Sequence, residues 1–416
     1  MLLGIDDTDS KKGMCTTYLA AVLVEKLQKY GVKEYPRLIR LNPNIKYKTR
    51  GNGAVAIEIG ADEGQAAEIM DIAVQKVGEM AELDDPETNS GIVLLDHIPI
   101  EVEKFSERVV RDTVTIKEAI VLAKKYGMVY AFKNGRGVIG ALAAIGFSLK
   151  DDYTYELVAY RQRERWGTPR RIDRTSVLEA DQSTYPHTWD TVDVANELTV
   201  FSPHSPCPVL FGIRGDDVDA IKKAFKMIRS EEVERYTIFK TNQSTDAHIV
   251  PGKIASAKNG CSYVLSGTVV KHPYPIQGGH VFFTIAENGH KIDCAAYEPT
   301  KKFRDVIRQL RVGDEVLVYG SVKDQTINLE KIEISSLRDQ FVVRNPPCPK
   351  CQKRMKSSGK NQGYRCRKCG TTSQEGEHIL VPRGLELGLY ETPPCARRHI
   401  SKPLIRMSGR KIHPSR

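Results

Sequence analysis

Ala54–Asp96 reads AVAIEIGADEGQAAEIMDIAVQKVGEMAELDDPETNSGIVLLD. Ala54–Ile59 is an apolar run of strand length, Glu63–Met80 repeats apolar residues at helical spacing, and Gly91–Asp96 is a second apolar strand. The same order returns downstream, as Val209–Ile213 (VLFGI), a helix over Asp217–Met227, and Glu234–Lys240 (ERYTIFK). Two β-α-β units of this kind make a ferredoxin-like split sandwich when they pair. Pairing leaves residues 98–205 as a long insertion between the halves. That insertion and residues 1–50 then form a separate domain, interleaved in sequence with residues 51–97 and 206–258. The alternative is a serial order of two unrelated α/β domains.

Outward from these units, Met1–Ile5 (MLLGI) predicts a short buried strand. Met14–Tyr30 predicts a helix, with Leu19, Val22, Leu23 and Leu27 at helical spacing and Gly31 as its stop. From Tyr263 the pattern changes to strands at Tyr263–Val270, His280–Ala286, Lys291–Ala296, Glu315–Gly320 and Thr326–Ile334. One helix, Thr300–Leu310, lies between the third and fourth. That is the order of a five-stranded OB barrel, assigned to residues 259–340. Asn288–Gly289 sits where a tight hairpin turn is wanted. The expected fold class is therefore a multidomain α+β chain.

Lysine and arginine number 62 against 52 acidic residues in 416, a net +10. The excess is local: residues 341–416 hold 17 basic and 4 acidic residues, so residues 1–340 are slightly acidic. A polyanion-binding module attached to a near-neutral body fits that asymmetry. Residues 401–416 read as a loose basic tail. No apolar run approaches the roughly 20 residues of a membrane span. Asp6 arrives too early for a secretory apolar core, so a cytoplasmic location is expected.

Cys348-Pro-Lys-Cys351 and Cys366-Arg-Lys-Cys369 form paired CxxC turns within a segment 341–400. Two such turns supply a tetrahedral shell of four thiolates, which selects structural Zn²⁺ and leaves no open position for catalysis. Around them Lys350, Lys353, Arg354, Lys356, Arg365, Arg367 and Lys368 stand without an acidic neighbour between Cys348 and Gly370. An OB barrel followed by this ribbon resembles a nucleic-acid grip, with cations for phosphates and aromatics such as Tyr364 for bases. Basic ribbons also mediate protein contacts.

Gly4-Ile5-Asp6-Asp7-Thr8-Asp9-Ser10 places three carboxylates after a strand and before a helix start at Cys15-Thr16-Thr17. Hard oxygen ligands beside free helix N–H groups suit a Mg²⁺–phosphate site; equally, the cluster could only cap the helix. No GxxxxGK[ST] loop exists, so an ATP site must be of another kind. Lys133-Asn134-Gly135-Arg136-Gly137 opens an alanine-rich helix. Its glycines permit close approach of phosphate, although the same pattern marks tight helix packing. The loop Asn44–Gly53, with Lys48 and Arg50, is fit for phosphate or RNA contact. Arg161–Arg171 mixes arginine with Trp166, either as a stacking surface or with Trp166 in the core.

At GIDDTDSKKGMCTTYLA, the KYKTRGNG loop, KNGRGVIGALAAIG, RYTIFKTNQSTDAH, the barrel and the CxxC ribbon, the chain resembles the archaeal tRNA(Ile) 2-agmatinylcytidine synthetase family over its whole length. The resemblance implies a kinase-like ATP domain interleaved with a ferredoxin-like domain, then an OB fold and a zinc ribbon. It implies ATP-dependent conjugation of agmatine to C2 of the wobble cytidine of tRNA(Ile) with a CAU anticodon. The C2 oxygen is phosphorylated and the amine displaces phosphate, with ATP consumed to AMP and pyrophosphate. Asp6, Asp7 and Asp9 would serve metal and phosphoryl transfer, Lys133, Gly135, Arg136 and Gly137 the ATP phosphates, and Thr16 self-phosphorylation. Agmatine, a dication, needs carboxylates, and Asp216 and Asp246 are put forward. ATP, Mg²⁺ and one Zn²⁺ are the implied cofactors; no membrane and no obligate protein partner is expected. Two other classes compete: a non-catalytic tRNA or single-strand binder, and a Mg²⁺-dependent nuclease using the same carboxylates.

Overall fold

The computed structural model describes residues 1–416 apart from Glu34 and Arg50. Its largest element is one nine-stranded sheet in the order β5-β4-β1-β3-β2-β11-β6-β10-β7. The first half centres on β1 (Leu2–Asp6), flanked antiparallel by β3 (Gly53–Glu58) and β4 (Gly91–Leu95). β2 (Arg37–Arg40) and β5 (Gly127–Ala131) complete this half. Side chains alternate between the faces of the sheet. Leu3, Ile5, Val55, Ile57, Ile92 and Leu94 meet α1 (Thr16–Leu27) and α2 (Ala66–Met80). Leu2, Ala54, Ala56, Val93 and Leu95 meet α3 (Ile100–Arg111), α4 (Ile116–Tyr126) and α5 (Gly137–Gly146).

The second half centres on β6 (Thr154–Arg161), flanked antiparallel by β10 (Val209–Gly215) and β11 (Val233–Thr241). α6 (Arg174–Thr184) leads to the edge strand β7 (Thr188–Trp189), which pairs with β10; α7 (Val218–Met227) joins β10 to β11. A short hairpin, β8 (Val192–Asp193) with β9 (Leu198–Thr199), lies between β7 and β10. The halves meet where β11 runs parallel to β2 through Lys240↔Arg37 and Thr241↔Leu38.

Both β-α-β units read from the sequence are present, but they do not pair with each other. β3 and β4 are split by β1, and β10 and β11 by β6. Residues 1–50 and 51–97, expected in different domains, therefore share one half-sheet, and the chain is serial here rather than interleaved. The cause is that each unit's central strand comes from outside it. β6 carries the apolar run Leu157–Tyr160 between charged neighbours and gave no strand signal.

α5 lies unusually close to the sheet. A Cβ on Gly4 would sit 2.2 Å from the Ala141 carbonyl oxygen, and one on Gly91 would sit 2.0 Å from the Val138 nitrogen. Glycine on both surfaces makes that approach possible. The packing reading of the glycine-rich turn thus applies to Gly137, whose own Cβ would fall 2.4 Å from the Gly91 nitrogen.

The barrel forms as expected. β13 (Ser262–Pro275), β14 (Val281–Glu287), β15 (His290–Ala296), β17 (Thr326–Ser336) and β16 (Glu315–Lys323) close on themselves, with α8 (Phe303–Arg308) between β15 and β16. Asn288 and Gly289 both take positive φ, 48° and 85°, in the β14–β15 hairpin turn. β12 (Ile249–Pro251) adds to β13. The ribbon is an excursion on a two-stranded stalk, β18 (Phe341–Arg344) with β22 (Glu377–Leu380). It carries three two-residue strands, β19 (Lys356–Ser357), β20 (Tyr364–Arg365) and β21 (Thr372–Ser373). After it, β23 (Gly388–Glu391) returns to pair with β17, and β24 (Ile412–His413) pairs with β23.

The C-terminal residues are not a loose tail. Ile400 and Leu404 are buried, and Arg406 bonds Asp152 (2.7 Å) and Asp216 (2.8 Å). Arg410 bonds Glu333 (2.7 Å) and Arg416 bonds Asp181 (2.8 Å). Acidic groups of the body neutralise this basic segment, which straps the barrel to the second half-sheet. Among the described residues no helix is long and apolar enough to cross a membrane.

Candidate active site and metal centre

A cleft of about 580 Å³ opens between the two half-sheets, within the size range of small-molecule sites. Asp6, Asp7, Asp9, Thr16, Lys48 and Arg136 all line it, and so do Arg40, Asp112, Glu156 and Arg214.

The acidic wall begins where β1 ends. Asp7 adopts φ 59°, a left-handed conformation that turns the chain sharply. The Ser90 hydroxyl donates to the Asp7 carbonyl (2.8 Å), and the Thr88 hydroxyl donates to the Asp9 carbonyl (2.8 Å), so the segment before β4 clasps the turn. Arg136 donates through Nε to Asp7 Oδ2 at 2.9 Å. Burial raises the Asp7 pKa, and the Arg136 charge opposes that rise. Asp6 lies deeper. Burial, then the neighbouring Asp7 charge, holds its pKa well above the usual carboxylate range. A Cβ on Gly140 would lie 1.9 Å from Asp6 Oδ2, so only glycine leaves room for that carboxylate under α5.

α1 points its N-terminus at this turn. Its N-cap is Cys15, whose side chain makes no capping bond, so neither Thr16 nor Thr17 takes the capping role allowed by the sequence. The Thr8 hydroxyl donates to Thr16 Oγ1 at 3.1 Å, and Thr17 Oγ1 lies 3.1 Å from Cys15 Sγ. The opposite wall carries a buried ion cluster. Glu156 bonds Arg40 at 3.1 Å and Arg214 at 3.2 Å, and Arg40 Nε also donates to Gln243 Oε1 at 2.8 Å. Burial would raise the Glu156 pKa, but the two guanidiniums outweigh it and hold the carboxylate ionised.

Other expected residues fall elsewhere. Gly135, with φ 74°, and Gly137 serve the turn and the packing of α5 and do not line the cleft. Lys133 turns away and donates to the Asp85 carbonyl at 2.6 Å. Lys48 sits in the cleft wall and donates to the Pro43 carbonyl; Arg50 lies outside the described residues. Asp216 and Asp246 do not reach the cleft. Asp216 holds Arg406, and Asp246 accepts from the buried Lys331 at 2.6 Å and from the Lys402 amide at 2.7 Å. Trp166 packs edge-on against Tyr18 at 5.2 Å, and Arg161 is buried on Glu231 at 2.6 Å, so that cluster is largely framework.

Arg40, Glu156 and Arg214 were not singled out as site residues. Arg214 lay in the polar strand end FGIRGD, where its type was visible but its partner was not. Glu156 had no signal, because a charge inside an unrecognised strand looks like surface.

The four ribbon cysteines place one sulfur each within 4.8 Å of one another. The Cys348–Cys369, Cys351–Cys366 and Cys351–Cys369 separations are 3.4, 3.5 and 3.7 Å. Four thiolates about 2.3 Å from one ion lie about 3.8 Å apart, so the set fits a tetrahedral zinc. Hydrogen bonding from Thr371 draws the Cys369 thiol down to about 6. Lys350, Lys353, Lys356, Arg365, Arg367 and Lys368 are exposed around the site, whereas Arg354 is paired with Glu377 at 2.5 Å. Tyr364 packs partly buried against the cysteine core.

Three family models match in series: a TiaS TCKD domain over residues 2–134, a TiaS FLD domain over 135–248 and a TiaS C-terminal zinc ribbon domain over 345–385. The first boundary falls in the glycine-rich turn before α5. The chain is 49% identical to the tRNA(Ile) 2-agmatinylcytidine synthetase TiaS of Methanosarcina mazei, over 100% of both chains. It superposes on a complex of TiaS with its isoleucine tRNA and ATP with a TM-score of 0.92 and 47% identity, covering 100% of this chain and 99% of that one. A complex of TiaS with the same tRNA, AMPCPP and agmatine matches at 0.89 and 44%, with the same coverage. With its cleft, barrel and ribbon all matched in order, the chain belongs to the TiaS family of tRNA(Ile) 2-agmatinylcytidine synthetases.

Proposed function

We propose that this chain is an ATP-dependent tRNA-modifying enzyme that joins agmatine to C2 of the wobble cytidine, C34, of tRNA(Ile). The observation that carries the reading is the cleft. An acidic turn faces an uncapped helix N-terminus on one wall and a clamped pair of arginines on the other, in a chain matching TiaS structures with tRNA, ATP and agmatine from end to end.

The first half-sheet is read as the kinase-like unit. The free N–H groups of α1 and the Arg136 guanidinium suit phosphate oxygens. Asp6, Asp7 and Asp9 form an all-oxygen donor set of the kind Mg²⁺ prefers and would hold it; bound there, the ion neutralises phosphate charge during phosphoryl transfer. Thr16, at the first turn of α1, is the proposed site of self-phosphorylation. The second unit has strand order β11-β6-β10-β7 with two crossover helices, which supports a ferredoxin-like reading of residues 154–241. Phosphorylation of the cytosine C2 oxygen makes it a leaving group; the agmatine amine then attacks C2, the C2–O bond breaks and phosphate departs. Agmatine's cationic ends belong among the cleft carboxylates. Glu156 is already committed to two arginines, which leaves Asp112 as the carboxylate to test. The exposed ribbon cations supply contacts to the tRNA backbone, and C34 must leave its stack at a cost of a few kcal/mol to enter the cleft.

The test is the mass of the wobble nucleoside of tRNA(Ile) after incubation with ATP and agmatine. Conversion to agmatinylcytidine is expected. An unmodified nucleoside with intact tRNA binding would instead favour a binding protein, and cleaved RNA without ATP a nuclease.

A further inference from the structure

A second cavity, of about 320 Å³, lies where the barrel meets the base of the ribbon stalk. It is lined by His272 of β13, by Arg308–Arg311 at the end of α8, and by Gln340 and Arg383–Leu385, the two crossings between barrel and ribbon. Among the described residues no acidic side chain lines it.

One buried carboxylate builds the site from behind. Asp314, with no exposure, accepts from both Arg383 terminal nitrogens, at 2.6 and 2.7 Å. It also accepts from the Arg311 amide at 2.8 Å and the Arg338 amide at 2.9 Å. Barrel, stalk approach and stalk exit are thus pinned to a single group, and the Arg383 guanidinium is fixed before any ligand arrives. Two cations remain to engage one. Arg311 Nη1 is buried without a hydrogen-bond partner, a position that is costly unless a ligand acceptor completes it. Arg308 is exposed and held only by an i,i+3 pair with Asp305 at 2.5 Å, which is worth little in water.

We propose that this cavity binds a backbone phosphate of the tRNA and thereby fixes the ribbon's orientation on the barrel. A tetrahedral, multiply charged oxyanion matches guanidinium forks converging on one small cavity. RNA is favoured over a free anion because the cavity joins the two nucleic-acid-binding modules and opens beside their shared stalk. The inference rests on the tRNA-binding reading above.

The experiment measures tRNA(Ile) affinity of the full-length chain between about 50 and 200 mM salt. Arg311→Gln and Arg308→Gln are each expected to weaken binding several-fold and to reduce the salt slope by about 1, whereas Arg311→Lys keeps the wild-type slope. Arg308, being exposed, provides the reading if the Arg311 variant fails to fold. Wild-type slopes in both glutamine variants overturn the inference alone; a wild-type chain that does not bind tRNA overturns the functional reading as well. In a parallel titration with pyrophosphate, binding lost in Arg311→Gln together with an unchanged tRNA slope would assign the cavity to a free anion and reject RNA.

Discussion

The cleft draws Asp6, Arg40, Arg136, Glu156 and Arg214 from four strands and a turn spread over some two hundred residues, whereas the ribbon draws its four sulfurs from two CxxC turns. The cleft's polar groups are held by a large two-faced core and by each other, as Glu156 is held between two arginines. The ribbon has only Cys348, Met355 and Cys366 fully buried, too little apolar surface to fold unaided. One site depends on the fold around it; the other depends on an ion.

Zinc removal separates the two regions most sharply. Structural zinc contributes on the order of 10 kcal/mol to such a ribbon. Chelation, or Cys366→Ser, is expected to unfold residues 345–385 and cut tRNA affinity at least ~100-fold, while nucleotide binding in the cleft persists. Hydrogen exchange and tRNA titration check both halves of that statement; equal loss at both sites would mean they are not independent.

Within the cleft, Glu156→Ala leaves Arg40 and Arg214 uncompensated and should cost about 3–5 kcal/mol of stability by denaturant unfolding. A loss under about 1 kcal/mol would show that the cluster is not framework. Asp7→Ala should lower kcat about 10²–10³-fold, the scale of a lost electrostatic contact to the transition state, with tRNA affinity nearly unchanged. Loss of tRNA binding in that variant would make the acidic turn structural.

A pH titration probes the join between the body and the C-terminal strap. His248 is buried, donates through Nε2 to the Arg40 carbonyl at 2.8 Å, and lies 5.9 Å from the buried His399, with Arg398 and Arg111 as charged neighbours. Burial lowers its pKa to about 4. The unfolded chain gains its proton near pH ~6.5. Stability is therefore fully present above that pH and lost as pH falls toward 4, by roughly 3 kcal/mol. Thermal unfolding across this window should show a shallower decline in His248→Gln; parallel curves would contradict the assignment. The smallest effect is expected from Asp112→Asn, which should raise the agmatine KM about tenfold with kcat little changed. An unchanged KM would move agmatine to another carboxylate.

What the sequence revealed follows the same division. The zinc cluster and the barrel were legible because their determinants are local: spacing for the cysteines, alternating runs and an Asn-Gly turn for the strands. The acidic turn was visible as residues, but its capping and metal readings could not be separated until α1 was seen without a side-chain cap. Sheet pairing was illegible, since β1 and β6 insert into units that look complete without them. The glycine-rich turn proved half packing, through Gly137, and half site, through Arg136. Asp216 and Asp246 were polar residues at strand ends, and only the folded C-terminal segment shows that Arg406 and Lys331 already claim them.

The central claim is that the acidic turn and the N-terminus of α1 hold a nucleoside triphosphate in the cleft that also receives the base. A crystal of the chain soaked with a non-hydrolysable ATP analogue and Mg²⁺ tests it most directly. The account predicts phosphate density between Asp6, Asp7, Asp9, Arg136 and the first turn of α1. Nucleotide bound elsewhere, with the turn unchanged and Asp7 still closed on Arg136, would contradict it.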